Sequence, residues 1–341
     1  MAYKLKDSSV IWKLAKDLGI KSITDPVNDI LKFCDKKVKV FLRDFPECNN
    51  LLEFLAVVAA KVKTKIIEVH SDQELDALQN EYMNRGEAIF ATLTKELEGQ
   101  VFGITIKLRK HEPWENEFVS IIDCRGEKAA RSYFTKWHEI AHLIVLTDQQ
   151  RLQFHRTQHK SPESDPEEAI IDIIAGKFGF YEAFISEHTT DDISFDSIEE
   201  LRSGLCPESS YQAALIGFIK AWHRPCLLLY CKPALKKGEQ SLLAQGSFDF
   251  VSPPTLHLRA VKITSSIPAI TAGFRIHQNM RVPESSVIYS VFSGNSDYAE
   301  AEENLSSWET SSGSCLPDCS VTVKAKRHYG DVYAIISQSE R

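Results

Sequence analysis

The five residues His138-Glu139-Ile140-Ala141-His142 bring two imidazoles and a carboxylate into one short stretch. They lie within residues 129–146 (AARSYFTKWHEIAHLIVL), where apolar residues recur at helical spacing. On a helix, side chains four apart share a face, with about 5–6 Å between Cβ atoms. Two imidazoles so placed can grip one divalent ion, and the glutamate beside the first can reach a water on that ion. Phe134, Ile140, Ala141, Leu143, Ile144 and Leu146 give the helix a broad apolar face, which predicts burial. A single buried histidine is more often a satisfied core residue than a ligand. Two in register, with a glutamate between them, point to metal chemistry.

A metal centre that does chemistry needs a third protein ligand and one open position. Residues 165–181 (DPEEAIIDIIAGKFGFY) predict a second helix, with Asp165 as N-cap, Pro166 at the first helical position and acids in the first turn. Glu168 and Asp172 fall four apart on one face, while Ile171, Ile174, Ala175 and Phe178 form an apolar stripe. Glu168 can complete the ligand set. Asp172, one turn on, can accept the other ring N–H of a metal-bound histidine. Glu168 is preferred to Glu167 because only Glu168 has an acid four residues later. The plain alternative is that these acids decorate a solvated helix start and favour its dipole.

Zinc is the default ion for a His/His/Glu set. Manganese, iron or another divalent metal stays open, because imidazole and carboxylate together do not select by ligand type. Such a centre lowers the pKa of its water toward about 7. Glu139 would then be the general base. Candidate oxyanion donors, by type and proximity, are Tyr133, His155 and His159, and the sequence does not choose among them.

The strand expected at residues 118–123 (FVSIID) precedes Arg131, Phe134, Thr135, His138, Glu139 and His142 in the first helix, with Glu168, Asp172 and Ala175 in the second. This layout resembles the ImmA/IrrE metallopeptidases. Their signature runs from a strand ending in Asn or Asp, through Arg-x-x-Phe-Thr-x-x-His-Glu-x-x-His, to Glu-x-x-Ala-Asn-x-x-Ala. Asp172 stands where that family has Asn, Ile171 replaces an Ala, and residues 177–181 (KFGFY) replace Leu-Leu-Met-Pro. The resemblance implies a zincin-like peptidase domain with Glu168 as third ligand. It also implies a helix-turn-helix-like segment and a C-terminal GAF-like sensor domain, as in the IrrE branch. The implied activity is site-specific cleavage of a protein substrate, a helix-turn-helix transcriptional repressor, to switch on stress or defence genes.

With 341 residues the chain exceeds one typical domain, and its net charge of −7 argues against a protein whose main task is coating nucleic acid. No apolar run approaches the roughly 18–20 residues that span a bilayer, so no membrane partner is expected. The first residues (MAYKLKDSSVIWKLAKD) lack the apolar centre of a secretory signal, and the expected location is cytoplasmic. Eight cysteines therefore do not imply a disulfide framework, and the spacings of Cys226/Cys231 and Cys315/Cys319 suit a structural zinc poorly.

An α+β chain in three parts is expected: a metallopeptidase domain at 1–190, a helix-turn-helix-like segment at 191–224 and a sensor or interaction domain at 225–341. Residues 10–18, 25–33 and 50–62 read as helices and 65–70 as a strand. Ser71 and Glu74 form a capping box for a helix to about 84. Strands are expected at 88–94, 102–108 and 118–123, making a small sheet whose edge could take an extended peptide. Residues 147–164 read as an exposed polar link. The helix expected at 211–222 (YQAALIGFIKAW) offers only Lys220, with His223 and Arg224 beyond, which favours packing over base recognition. Residues 226–231, 255–263 and 329–337 are β-like, and the acidic stretch 294–318 reads as a long loop or lid. A small molecule or a nucleic acid could act as effector at the C-terminal domain. From another class, the chain could be a DNA- or partner-binding regulator with a structural or vestigial metal site; a purely structural site has no use for Glu139.

Overall fold

The computed structural model describes residues 5–22, 24–43, 48–109, 111–112, 114–147, 153–157 (backbone), 165–236, 238–239, 255–294, 296–310 and 313–339. The protein is mixed α+β with two sheets. It divides into two compact units: Met1–Tyr181 with Arg202–Ser210, and Glu182–Leu201 with Tyr211–Arg341. The helical segment expected at 191–224 is therefore shared out between the two units.

The first unit begins with α1 (Ser9–Asp17), α2 (Pro26–Leu42) and α3 (Leu51–Lys61). Asp25 caps α2 through the backbone N–H of Asn28, with Pro26 at its start. The helix outruns the expected 25–33 because Cys34 and Val38 continue the buried stripe of Val27 and Ile30. After β1 (Thr64–Val69), the hydroxyl of Ser71 accepts the N–H of Glu74 at the start of α4 (Asp72–Asn84). Residues 88–94 are not a strand. A 3-10 turn (Ala88–Thr92) passes into the short α5 (Leu93–Glu96). Phe90, Leu93 and Leu97 are all buried, and Tyr82 stacks on Phe90 at 4.3 Å. An extended chain would send Phe90 and Leu93 to opposite faces; a helical one puts both in the core.

Strands β2 (Val101–Lys107), β3 (Phe118–Asp123) and β4 (Gln153–Thr157) complete a sheet in the order β1-β3-β2-β4. β1 and β3 are parallel, and the other two pairs are antiparallel. β4 lies in the stretch expected to be an exposed link; its backbone instead pairs with β2 and forms one edge of the sheet. Alternation divides the strands between two layers. Ile104, Ile106, Val119 and Ile121 join Leu75, Leu78, Tyr82 and Phe90 in one core. Gly103, Thr105 and Ser120 belong to the opposite face and meet α6 (Ser132–Ile144). Helix α7 (Pro166–Gly179) packs on α6, with the fully buried Trp137 5.1 Å from the Phe54 ring and 6.4 Å from Phe178.

The second unit holds α8 (Glu182–Ser186), most of α9 (Phe195–Leu205) and α10 (Tyr211–Ala221). The helices α11 (Ile267–Ala272) and α12 (Val287–Phe292) accompany its sheet. That sheet is antiparallel, in the order β6-β5-β9-β8-β7: β5 (Cys226–Ala234), β6 (His257–Ser265), β7 (Tyr298–Asn304), β8 (Ser320–His328) and β9 (Asp331–Gln338). Leu227 and Leu229 of β5, Val321 and Val323 of β8, and Ala334 and Ile336 of β9 share a core with Ile288, Val291 and Trp308. α10 packs on β5 and β6 through buried Ala214, Leu215, Phe218 and Ile219, so its apolar face is spent inside the unit. Strand β7 corrects the expectation of a loop at 294–318. Its acids sit at an edge, where Glu300 lies opposite Lys324 and Glu302 accepts from the Thr322 hydroxyl at 2.6 Å. No helix among the described residues is long and apolar enough to cross a membrane.

Packing between α6 and α7 depends on the buried Phe178 ring. Phe178→Ala, at a fully buried ring, should cost about 3–5 kcal/mol of the first unit's stability. Val40→Ala, 48% exposed on α2, should stay within about 0.5 kcal/mol. Urea denaturation followed by tryptophan fluorescence would measure both.

Candidate metal centre

The entry to α6 is set by β3. Its last residue, Asp123, is buried and accepts from Arg125 Nε at 2.8 Å and Lys128 Nζ at 2.7 Å. Lys128 also donates to the carbonyls of Leu97 and Val101. Burial pushes the Asp123 carboxyl up, but these cations outweigh it and hold the group below the usual carboxylate range. A 3-10 turn (Gly126–Arg131) then delivers the chain to α6, where Arg131 stacks over Phe102 at 4.7 Å. Lys136, buried on α6, pairs with Glu68 of β1 at 2.5 Å and with Glu208 at 2.6 Å.

At the middle of α6, His138, Glu139 and His142 are all buried. Asp165 caps α7 by accepting the N–H of Glu168, whose side chain reaches His138 and His142 of α6. His138 Nε2 lies 3.0 Å from Glu168 Oε2 and 3.2 Å from His142 Nε2; His142 Nε2 lies 3.3 Å from Glu168 Oε1. Asp172 Oδ1 lies 2.9 Å from His138 Nδ1, one helical turn beyond Glu168. The structure thus brings His138, His142 and Glu168 together around one point, with Asp172 behind the His138 ring.

These distances fit an ion. Ligand atoms about 2.0–2.1 Å from a tetrahedral zinc stand roughly 3.3 Å from one another. The proton inventory fits it too. A neutral His138 that donates from Nδ1 to Asp172 presents a lone pair at Nε2, facing another imidazole nitrogen and a carboxylate. A divalent cation answers those lone pairs together. The ligand atoms of His138, His142 and Glu168 lie within 4.8 Å of one another. Glu68, His70 and Cys124 form a second group of that kind, with Glu68 already tied to Lys136.

Glu139 is fully buried beside this group. Its Oε2 accepts from the Thr105 hydroxyl at 2.7 Å, and its Oε1 has no partner among the described residues. Burial pushes its carboxyl up, against the pull of His138, His142 and Thr105. Burial acts on Glu168 in the same direction, but hydrogen bonds that the imidazoles of His138 and His142 donate to it when no ion stands between them outweigh it and hold that carboxyl far below its ordinary value. Gly103 of β2 gives Glu139 its room: a Cβ there would come within 2.7 Å of Thr135 Cγ2 and 3.0 Å of Glu139 Oε1.

Of the expected oxyanion donors, Tyr133 is a correction. Its ring is buried and its hydroxyl donates to the Gly179 carbonyl at 2.5 Å, so its one proton serves the seam between α6 and α7. His155 is on β4, paired opposite Ile104, with its side chain outside the described residues; His159 lies wholly outside them. Sequence reasoning missed Gly103, Thr105 and Ser120. The available signal was a glycine and two hydroxyls in otherwise apolar strands, FGITI and FVSII. No protein-family model matches the chain, and no curated protein matches its sequence.

The two carboxyls predict opposite pH responses in the metal-free protein. Folding tightens Glu139's hold on its proton, so ionising it costs stability as pH rises above the unfolded value of about 4.3. Glu168 contributes stability above about 4.3 that is lost as pH falls through its lower folded value. Thermal melts should therefore show Glu139→Gln gaining on the wild type between pH 4 and pH 7. Glu168→Gln should lose ground to it as pH rises from the lower folded value of Glu168 toward about 4.3, and trail by a constant margin above that.

Proposed function

We propose that the chain is a metal-dependent endopeptidase of the ImmA/IrrE kind, with a zincin-like catalytic unit and a GAF-like second unit. The observation that carries this reading is the convergence of two imidazoles and a carboxylate within 3.0–3.3 Å, beside a fully buried glutamate with one oxygen unpartnered among the described residues. His138, His142 and Glu168 would hold the ion, zinc by default, and Asp172 would fix the tautomer of His138. Bound there, a divalent ion polarises a peptide carbonyl and makes water a nucleophile near neutral pH.

The chain's own groups do the rest. Glu139 takes the proton of the attacking water and returns it to the leaving amine, a task suited to a carboxyl raised by burial. The strands beside α6 offer an extended substrate a sheet edge along which to lie. A purely structural site gains nothing from a buried glutamate beside the ligands, which favours the enzyme over the DNA- or partner-binding regulator. The buried face of α10 also speaks against that alternative, because a recognition helix presents polar side chains to bases. The substrate class follows from the family resemblance: a helix-turn-helix repressor cut in the cytoplasm to release stress or defence genes. An effector acting on the second unit belongs to the same proposal.

The test is a peptide library digested from a whole proteome, incubated with the zinc- or manganese-loaded full chain and read by mass spectrometry. Discrete cleavage is expected from the wild type. Glu139→Gln should keep the metal and lose at least about 100-fold in rate. Equal cleavage by both forms would end the peptidase reading.

A further inference from the structure

The Thr105 hydroxyl that meets Glu139 does not stand alone. Ser120 Oγ lies 2.7 Å from Thr105 Oγ1, and Thr64 Oγ1 lies 2.9 Å from Ser120 Oγ. All three hydroxyls are buried, on the neighbouring strands β2, β3 and β1. We propose that Thr105, backed by Ser120 and Thr64, is the positioning residue of Glu139: it fixes Oε2 and so assigns Oε1 as the oxygen that meets the substrate water. The chemical half of this inference rests on the peptidase reading; the hydrogen-bonded lock does not.

The direction of the chain follows from counting protons. The Thr105 hydroxyl donates to Oε2, so its single proton is committed there. Ser120 must then donate to Thr105, and Thr64 to Ser120. Three hydroxyls therefore point one way, toward Glu139, and each bond polarises the next in a site removed from water. Oε1 is treated differently. It is buried without a partner among the described residues, and the neighbouring Gly103 keeps a Cβ from standing 3.0 Å away. A buried carboxylate oxygen left without a hydrogen bond is costly, and such groups persist where a site uses them. A sheet needing only to pack on α6 would place aliphatic residues at 64, 105 and 120, as it does on its other face.

The lock is tested first in the metal-free full chain, labelled with 13C-glutamate. Recorded at a pH high enough to ionise the raised carboxyl, the infrared difference between wild type and Glu139→Gln isolates the Glu139 carboxylate band. Thr105→Val should shift that band and Thr105→Ser should restore it. Ser120→Ala, which keeps the bond to Glu139 but removes its support, should shift it less in the same direction, and serves alone if Thr105→Val does not fold. On peptides cut by the wild type, Thr105→Val should lower kcat roughly 10- to 100-fold. KM and zinc affinity should stay within about twofold, the pattern of a group used only in the transition state. Thr105→Ser should recover kcat. A band that ignores Thr105→Val and Ser120→Ala overturns the proposal, as does a kcat loss that serine cannot repair or that tracks zinc affinity. If the wild type cuts no peptide, the peptidase reading fails, while the infrared band still decides the lock.

Discussion

Two imidazole nitrogens and two carboxylate oxygens face one another across 3.0–3.3 Å in the first unit, on side chains that are all buried. Groups that present lone pairs to each other at that range repel unless protons or a cation stand between them, and low polarity strengthens the repulsion. The rest of the unit can be understood as what holds them there. α6 supplies both histidines on one face because they are four residues apart. α7 supplies Glu168 and Asp172 one turn apart, and its cap and buried aromatic seam set its height and rotation against α6.

The sheet contributes more than a floor. Its core face is aliphatic, and its other face carries hydroxyls and a glycine beneath α6. Gly103 lets the helix approach, while Thr105 and Ser120 give a buried carboxylate something to hold. Lys136, between Glu68 and Glu208, and Asp123, between Arg125 and Lys128, pair the remaining buried charges close by. Charge buried on this scale survives only when it is paired. The Glu139 oxygen that has no partner among the described residues stands out against that pattern.

Much of this was legible in the sequence because helical spacing is a local property. The i, i+4 pairs His138/His142 and Glu168/Asp172, the cap at Asp165 and the Ser71 cap each lie within one or two turns of chain. Strand pairing is not local, and there the reading fell short. The polar stretch containing β4 becomes a strand only because β2 offers it an edge, and the acidic β7 because β8 answers it with Lys324 and Thr322. The run AIFATLT has strand-like composition, yet Phe90 and Leu93 must share a core and so wind into a helical turn. Thr105 and Ser120 were invisible as site residues, since their meaning depends on which face of the sheet α6 covers. Tyr133 is a donor by type, but its hydroxyl donates to the Gly179 carbonyl.

The most direct test of the account is X-ray absorption at the zinc edge on the full chain loaded with one equivalent of zinc. Two imidazoles and oxygen donors are expected at about 2.0–2.1 Å, with the imidazole scattering reduced or lost in His142→Ala. A sulfur shell at about 2.3 Å, or a spectrum unchanged by His142→Ala, would place the ion elsewhere and contradict the claim on which the function rests.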